Sequence, residues 1–208
     1  MPPLVFLPGA GGSAAFWEPV AQRLASDQGL QARPMQLLSW PGLGNEPADE
    51  QVRCFDDLAS RVLAALHPDE FDEPADLIAQ SMGGVVALQV ALRAPRRVRR
   101  IVLTATSGGM PMDEHGAADW RDEYRRAFPR AQPWIYEPVA DLSARLAGIP
   151  APCLLLWGDA DPISPVAAGQ RLLSLLPHAD LRIIEGGGHD LAMTHAEEAA
   201  RHIRRHLL

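Results

Sequence analysis

The chain has 208 residues, 47% apolar and 22% charged, with two cysteines and a net charge of −7. A chain of this length hides roughly 70% of the surface its unfolded form exposes, so one core suffices without disulfides or a structural metal. The acidic balance excludes a field that gathers polyphosphate backbones, and no nucleic-acid partner is expected.

All 19 basic residues are arginine, which removes Schiff-base lysine chemistry and a P-loop lysine. Cys54 and Cys153 stand far apart in no CxxC pattern and read as free thiols of a reducing compartment. No apolar run approaches the ~18 residues of a membrane span. The opening Met-Pro-Pro-Leu-Val-Phe-Leu has no basic region or cleavage site, so a cytoplasmic protein without a membrane partner is expected.

Short apolar runs alternate with longer amphipathic ones, the pattern of β-α-β units. The first strand is expected over residues 4–7, followed by the glycine-rich turn Pro8-Gly9-Ala10-Gly11-Gly12 and a helix over 14–27 that opens with Phe16-Trp17. A second strand over 35–39 runs into Trp40-Pro41-Gly42-Leu43-Gly44. The helix over 55–67 carries the stripe Phe55, Leu58, Val62, Leu63 and Leu66. A third strand over 75–79 passes through Gln80-Ser81 straight into a helix over 82–94, and a fourth strand covers 98–104.

The interval 108–150 breaks this rhythm with Gly108-Gly109, several prolines and the rings Trp120, Tyr124, Phe128, Trp134 and Tyr136. It reads as a lid insertion with one short helix near 118–128. Strands over 153–157 and 181–185 flank a helix over 165–176, and a last helix covers 194–207. These elements predict one α/β domain over 1–208. Its doubly wound, mostly parallel six-stranded sheet has helices on both faces, and its ligand crevice lies at the carboxyl ends of the strands.

Three side chains at such strand ends carry chemistry. Ser81 sits in Ala79-Gln80-Ser81-Met82-Gly83-Gly84, a strand-to-helix turn whose small neighbours leave room for a strained serine at a helix N-terminus. A serine nucleophile needs a base, and histidine is suited to it near neutrality. His189 follows the last strand in Glu185-Gly186-Gly187-Gly188-His189. It is preferred over His195, which starts the last helix. His67, His178, His202 and His206 fall on expected polar faces, and His115 falls in the insertion. The acid that holds the histidine tautomer is read as Asp161, fixed in a turn by Pro162, over Asp159, which suits a turn former.

The order Ser, Asp, His and the motifs around it resemble the α/β-hydrolase superfamily over nearly the whole chain. Ala79-Gln80-Ser81-Met82-Gly83 resembles the family's GxSxG elbow with alanine for the first glycine. Gly158-Asp159-Ala160-Asp161-Pro162 resembles its acid loop and Gly188-His189 its histidine motif. The resemblance implies that the loop after the first strand forms an oxyanion hole with the N–H groups of Ala10 and Met82, although Pro8 replaces the usual histidine.

It also implies a serine esterase or thioesterase of short form, working through an acyl-enzyme with neither metal nor organic cofactor. Trp17, Trp120, Tyr124 and Trp134 are candidate substrate contacts, core packing being the plainer reading for Trp17. Arg121 and Arg125, one helical turn apart, are candidate contacts for an acyl-carrier-bound substrate, a solvated face being the plainer reading. A C–C bond hydrolase or lyase with the same triad, and a non-catalytic small-molecule receptor, are the competing readings.

Overall fold

The computed structural model describes residues 1–66, 72–112 and 115–208, so His67 lies outside the described residues. Six parallel strands form one sheet: β1 (Leu4–Leu7), β2 (Met35–Leu37), β3 (Ala75–Gln80), β4 (Val98–Thr104), β5 (Cys153–Gly158) and β6 (Ala179–Ile184). Their spatial order is β2-β1-β3-β4-β5-β6. The direction of winding reverses between β1 and β3, which opens a crevice beyond the carboxyl ends of those two strands.

Strand side chains alternate between two cores, as a sheet covered on both faces requires. Val5, Leu7, Leu77, Ala79, Ile101, Leu103, Leu155 and Trp157 face α2 (Phe55–Ala65), α3 (Met82–Arg93) and α5 (Val166–Leu175). Leu4, Phe6, Ile78, Val102, Leu154 and Leu156 face α1 (Glu18–Ala25), α6 (Leu191–Thr194) and α7 (Ala196–Leu207). Each large side chain so buried contributes about 1.5–3 kcal/mol. In α7, Glu197 and Glu198 in the first turn and Arg204, Arg205 and His206 in the last complement the helix dipole.

The expected helix over 14–27 divides in two. Ser39 leaves β2 so that its Oγ accepts the Ala14 N–H at 3.0 Å, tying down a tight 3-10 turn over Ala14–Trp17. Pro19, which needs no N–H partner, then stands in the first turn of α1. The expected last helix over 194–207 is α7, starting at Ala196, and a separate short α6 precedes it.

Between β4 and β5 the chain forms α4 (Arg121–Ala127) and 3-10 turns at Pro133–Tyr136 and Ser143–Gly148. Tyr124, Trp134, Ile135, Leu142 and Leu146 of this stretch join the core on the α3 face. At the opposite end of the sheet from the crevice, Asp76 is fully buried and paired with both Arg33 and Arg99. Cys54 and Cys153 are free, and burial pushes the Cys153 thiol up to about 12. Among the described residues no helix is long and apolar enough to cross a membrane.

Candidate active site

Ser81 closes β3 and caps α3 with φ 51° and ψ −118°, a conformation that costs roughly 1–3 kcal/mol and is held by its surroundings. The Ser81 N–H donates to Thr104 O at 2.9 Å, and the Ser81 carbonyl accepts from Gly84 N–H at 2.9 Å and Thr106 Oγ1 at 2.5 Å. The turn has no spare volume. A Cβ on Gly83 would lie 2.5 Å from Pro8 O and 2.6 Å from Leu7 O, so α3 packs directly on the end of β1.

The elbow presents Ser81 Oγ 3.0 Å from His189 Nε2, and His189 Nδ1 lies 2.9 Å from Asp161 Oδ2. The Asp161 side chain is fully buried, and its Oδ1 accepts the N–H groups of Ile163 at 2.8 Å and Ser164 at 2.9 Å. That oxygen is therefore spoken for, and only Oδ2 faces the imidazole. Nδ1–H is thus the tautomer that satisfies the pair, leaving the Nε2 lone pair toward the hydroxyl. His195 is engaged instead with Thr194 Oγ1 at 2.9 Å.

Asp159 has a different partner. Its Oδ1 accepts the Gly186 N–H at 2.7 Å, binding the acid loop to the histidine loop. The two loops also touch through backbone, since a Cβ on Gly158 would fall 1.9 Å from Gly187 O. Gln80 completes the support, its Nε2 donating to His189 O at 3.3 Å while its Oε1 lies where a Cβ on Gly9 would be.

The loop after β1 stacks on the loop after β2. Gly12 and Gly44 have φ of 76° and 56°, and a Cβ on Gly44 would lie 1.9 Å from Gly11 O. Trp40 Nε1 donates to Pro8 O at 2.6 Å. Where Pro8 replaces a histidine, the brace therefore comes from an indole 32 residues away. Among the described residues the N–H groups of Ala10 and Met82 have no protein acceptor, and both stand at the serine's end of the crevice.

The aromatic candidates separate. Trp17 is wholly buried on the α1 face with Nε1 donating to Leu7 O at 2.9 Å, which makes it core and leaves no surface for a substrate. Tyr124 is 8% exposed. Its hydroxyl donates to Ala10 O at 2.7 Å and accepts from Gly44 N–H at 3.0 Å, so both of its bonding directions are filled by backbone. Burial pushes that phenol above its ordinary value, partly offset by the Gly44 N–H.

Trp134 is buried edge-on against Phe55, 5.6 Å between centroids. It lines a cleft of about 400 Å³ with Val52, Arg53 and Gln132, and that cleft includes neither Ser81 nor His189. Trp120 alone of the four is only partly buried, packed edge-on against Tyr124.

Arg121 pairs with Asp119 at 3.0 Å and Arg125 with Asp122 at 2.9 Å, and Arg125 also lies 4.3 Å over the Tyr136 ring. His206, expected on a polar face, is largely enclosed instead, and its Nε2 has no partner among the described residues. The supports from Gln80, Trp40, Thr106, Asp159 and Tyr124 have no local signal in the sequence, since each joins segments far apart in the chain. No group of described residues has the composition of a metal site.

A doubly wound parallel sheet with a serine on a positive-φ elbow, then an aspartate, then a histidine at the ends of three of its strands defines a class of hydrolases. The chain belongs to the alpha/beta hydrolase family, whose fold model matches residues 2–140 and a second family model residues 109–202.

It is 27% identical to a pimeloyl-[acyl-carrier protein] methyl ester esterase of Chromobacterium violaceum, covering 99% of this chain and 94% of that protein. It is 26% identical to a 2-hydroxy-6-oxononadienedioate/2-hydroxy-6-oxononatrienedioate hydrolase of Burkholderia vietnamiensis, covering 95% of this chain and 84% of that protein. Among solved structures, a meta-cleavage product hydrolase of Pseudomonas fluorescens superposes with a TM-score of 0.79 at 19% identity. The match covers 100% of this chain and 90% of that one, a likeness of fold.

Proposed function

We propose that the chain is a serine hydrolase that cleaves a carboxylic ester or thioester through an acyl-enzyme. The observation that carries this reading is the continuous relay Ser81 Oγ, His189, Asp161, with contacts of 3.0 and 2.9 Å on three strand ends. Ser81 Oγ attacks the carbonyl carbon while His189 Nε2 takes its proton, and Asp161 stabilises the imidazolium. The oxyanion is received by the N–H groups of Ala10 and Met82. Collapse expels the alcohol or thiol, which takes the proton from His189, and water then repeats the sequence to release the acid.

The stretch over 108–150 acts as a lid, with Trp120 as a wall of the entrance, and the two free thiols fit a cytoplasmic setting. The likeness to a carrier-protein methyl ester esterase supports an acyl-carrier-bound substrate. Arg121 and Arg125 are the residues to meet the carrier, because their ion pairs are solvent-exposed, weak, and exchange readily for a partner's acidic groups. The likeness to a hydrolase of dienedioates supports a second reading, cleavage of a C–C bond by the same three groups.

Labelling with a fluorophosphonate tests the enzyme reading, with label expected on the native chain and lost in Ser81→Ala. A native chain that takes no label refutes it and leaves the receptor reading. Parallel turnover of p-nitrophenyl esters, acyl thioesters and a chromogenic 2-hydroxy-6-oxodienoate then assigns the bond. Arg121→Ala with Arg125→Ala should depress carrier-bound substrates selectively, and equal rates on all substrates would remove the carrier.

A further inference from the structure

The acyl-transfer reading above makes the Ala10 N–H one of two oxyanion donors, and what holds that donor is unusual in its origin. Residues 8–12 have almost no side chain to pack, and Gly11 has open space where a Cβ would stand. The loop is fixed by its carbonyls instead. Leu7 O takes Trp17 Nε1 at 2.9 Å, Pro8 O takes Trp40 Nε1 at 2.6 Å, and Gly9 O takes Gly12 N–H at 3.0 Å. Gly12 O takes Trp40 N–H at 2.7 Å. Ala10 O takes the Tyr124 hydroxyl at 2.7 Å. Of these donors, Tyr124 is the one that comes from the excursion between β4 and β5.

We propose that Tyr124 is a positioning residue for the oxyanion hole, through which the seating of α4 sets the aim of the Ala10 N–H. The Ala10 N–H and the Ala10 carbonyl lie on adjoining peptide planes that hinge at one Cα, so holding the carbonyl restricts the rotation that would turn the donor away. The phenol holds it from a fixed platform. Its oxygen also accepts Gly44 N–H at 3.0 Å, and its ring is wedged among Trp120, Phe128 and Tyr136 with centroids 5.0–6.0 Å away. One side chain thereby ties α4 to both glycine loops. A displacement of α4 that draws the hydroxyl from Ala10 frees the donor.

The test rests on the hydrolase reading and is arranged to fail separately from it. Tyr124→Phe keeps the ring and removes the bond. Active sites are counted by fluorophosphonate titration, so kcat refers to folded enzyme. Complete loss of an oxyanion donor typically costs 10²–10³-fold in kcat and a misaligned one less, so a fall in kcat of about 10- to 100-fold is expected, with KM within about twofold of wild type.

Inhibition by an alkyl trifluoromethyl ketone, whose adduct on Ser81 carries an oxyanion, should weaken by the same factor as kcat/KM. p-Aminophenylalanine at position 124, which restores a donor, should recover much of the loss. Should Tyr124→Phe not fold, p-aminophenylalanine and p-methylphenylalanine at 124 replace it as the pair, and the amine must be the more active.

An active wild type with an unaffected Tyr124→Phe, a rise in KM at constant kcat, or equal activity of the amine and methyl variants overturns this inference alone. A wild type that neither takes label nor turns over an ester overturns the acyl-transfer reading and this inference with it.

Discussion

Replacing Asp161 by asparagine exchanges one oxygen for an amide nitrogen, and the structure dictates where that nitrogen goes. Oδ1 accepts two N–H groups, from Ile163 at 2.8 Å and Ser164 at 2.9 Å, so an NH₂ at that position would oppose two donors with a third. The amide oxygen must take it. The NH₂ then faces His189 Nδ1, 2.9 Å away, and donates to it.

The imidazole responds by carrying its proton on Nε2, which points an N–H at Ser81 Oγ where a lone pair is needed. Such a reversal of tautomer lowers kcat by about 10⁴-fold, or roughly 5.5 kcal/mol at ~1.36 kcal/mol per decade. Steady-state hydrolysis of a p-nitrophenyl ester measures it, with KM expected within about twofold because nothing that contacts the ground-state substrate has changed. An Asp161→Asn enzyme that keeps more than about a tenth of wild-type kcat would refute the argument.

Asp159 should respond in the opposite way. Asp159→Asn retains the oxygen that accepts Gly186 N–H and should stay within about twofold of wild type, whereas Asp159→Ala releases the histidine loop. The alanine variant should lose ~1 kcal/mol, or about fivefold in kcat. Equal effects of the two substitutions on ester turnover would contradict the brace.

Asp76→Ala strands the buried Arg33 and the partly buried Arg99 without their shared carboxylate. Calorimetry should show about 3–5 kcal/mol of lost stability, which at ~2–4 °C per kcal/mol lowers Tm by roughly 6–20 °C. A shift under about 3 °C would mean the arginines find other partners.

Burial, with Arg100 second, holds the His206 imidazole below its ordinary value of 6.5. The unfolded chain therefore binds the proton more readily. Stability should be full above pH ~6.5 and decline as pH falls from there toward the lowered native value. His206→Gln should flatten that slope in denaturant titrations across the window, and an unchanged slope would exclude His206 as its source.

The sheet was legible because strands buried on both faces are short apolar runs, and β1, β3, β4 and β5 fall within a residue of their expected bounds. The edges were less so. β6 begins at Ala179, two residues before its apolar run, because an outer strand leaves Asp180 and Arg182 in water, where they pair with each other. β2 ends two residues early because Ser39 is drawn off to hold Ala14.

The relay was legible because an elbow serine, an Asp-Pro turn and a Gly-His loop each carry a local pattern. Its supports carry none: Tyr124 meets Ala10 across 114 residues and Gln80 meets His189 across 109. Aromatic residues near a cleft therefore look like substrate contacts in sequence. For Tyr124 the destination of the phenol O–H decided otherwise, while the indole N–H of Trp17 bears out its plainer reading as core.

The place of β6 at the border of the sheet has a consequence in time. It pairs with β5 alone, and the loop beyond it delivers His189 to a serine 108 residues earlier in the chain. A contact that spans so much of the chain is of the kind that forms late in folding. Sheet margins open at lower free energy than the centre, and β6 is one of the two margins of this sheet. A chain with β6 frayed would keep its serine elbow and both glycine loops intact yet be chemically silent, so recovery of turnover times the docking of this margin and lags the burial of the central strands.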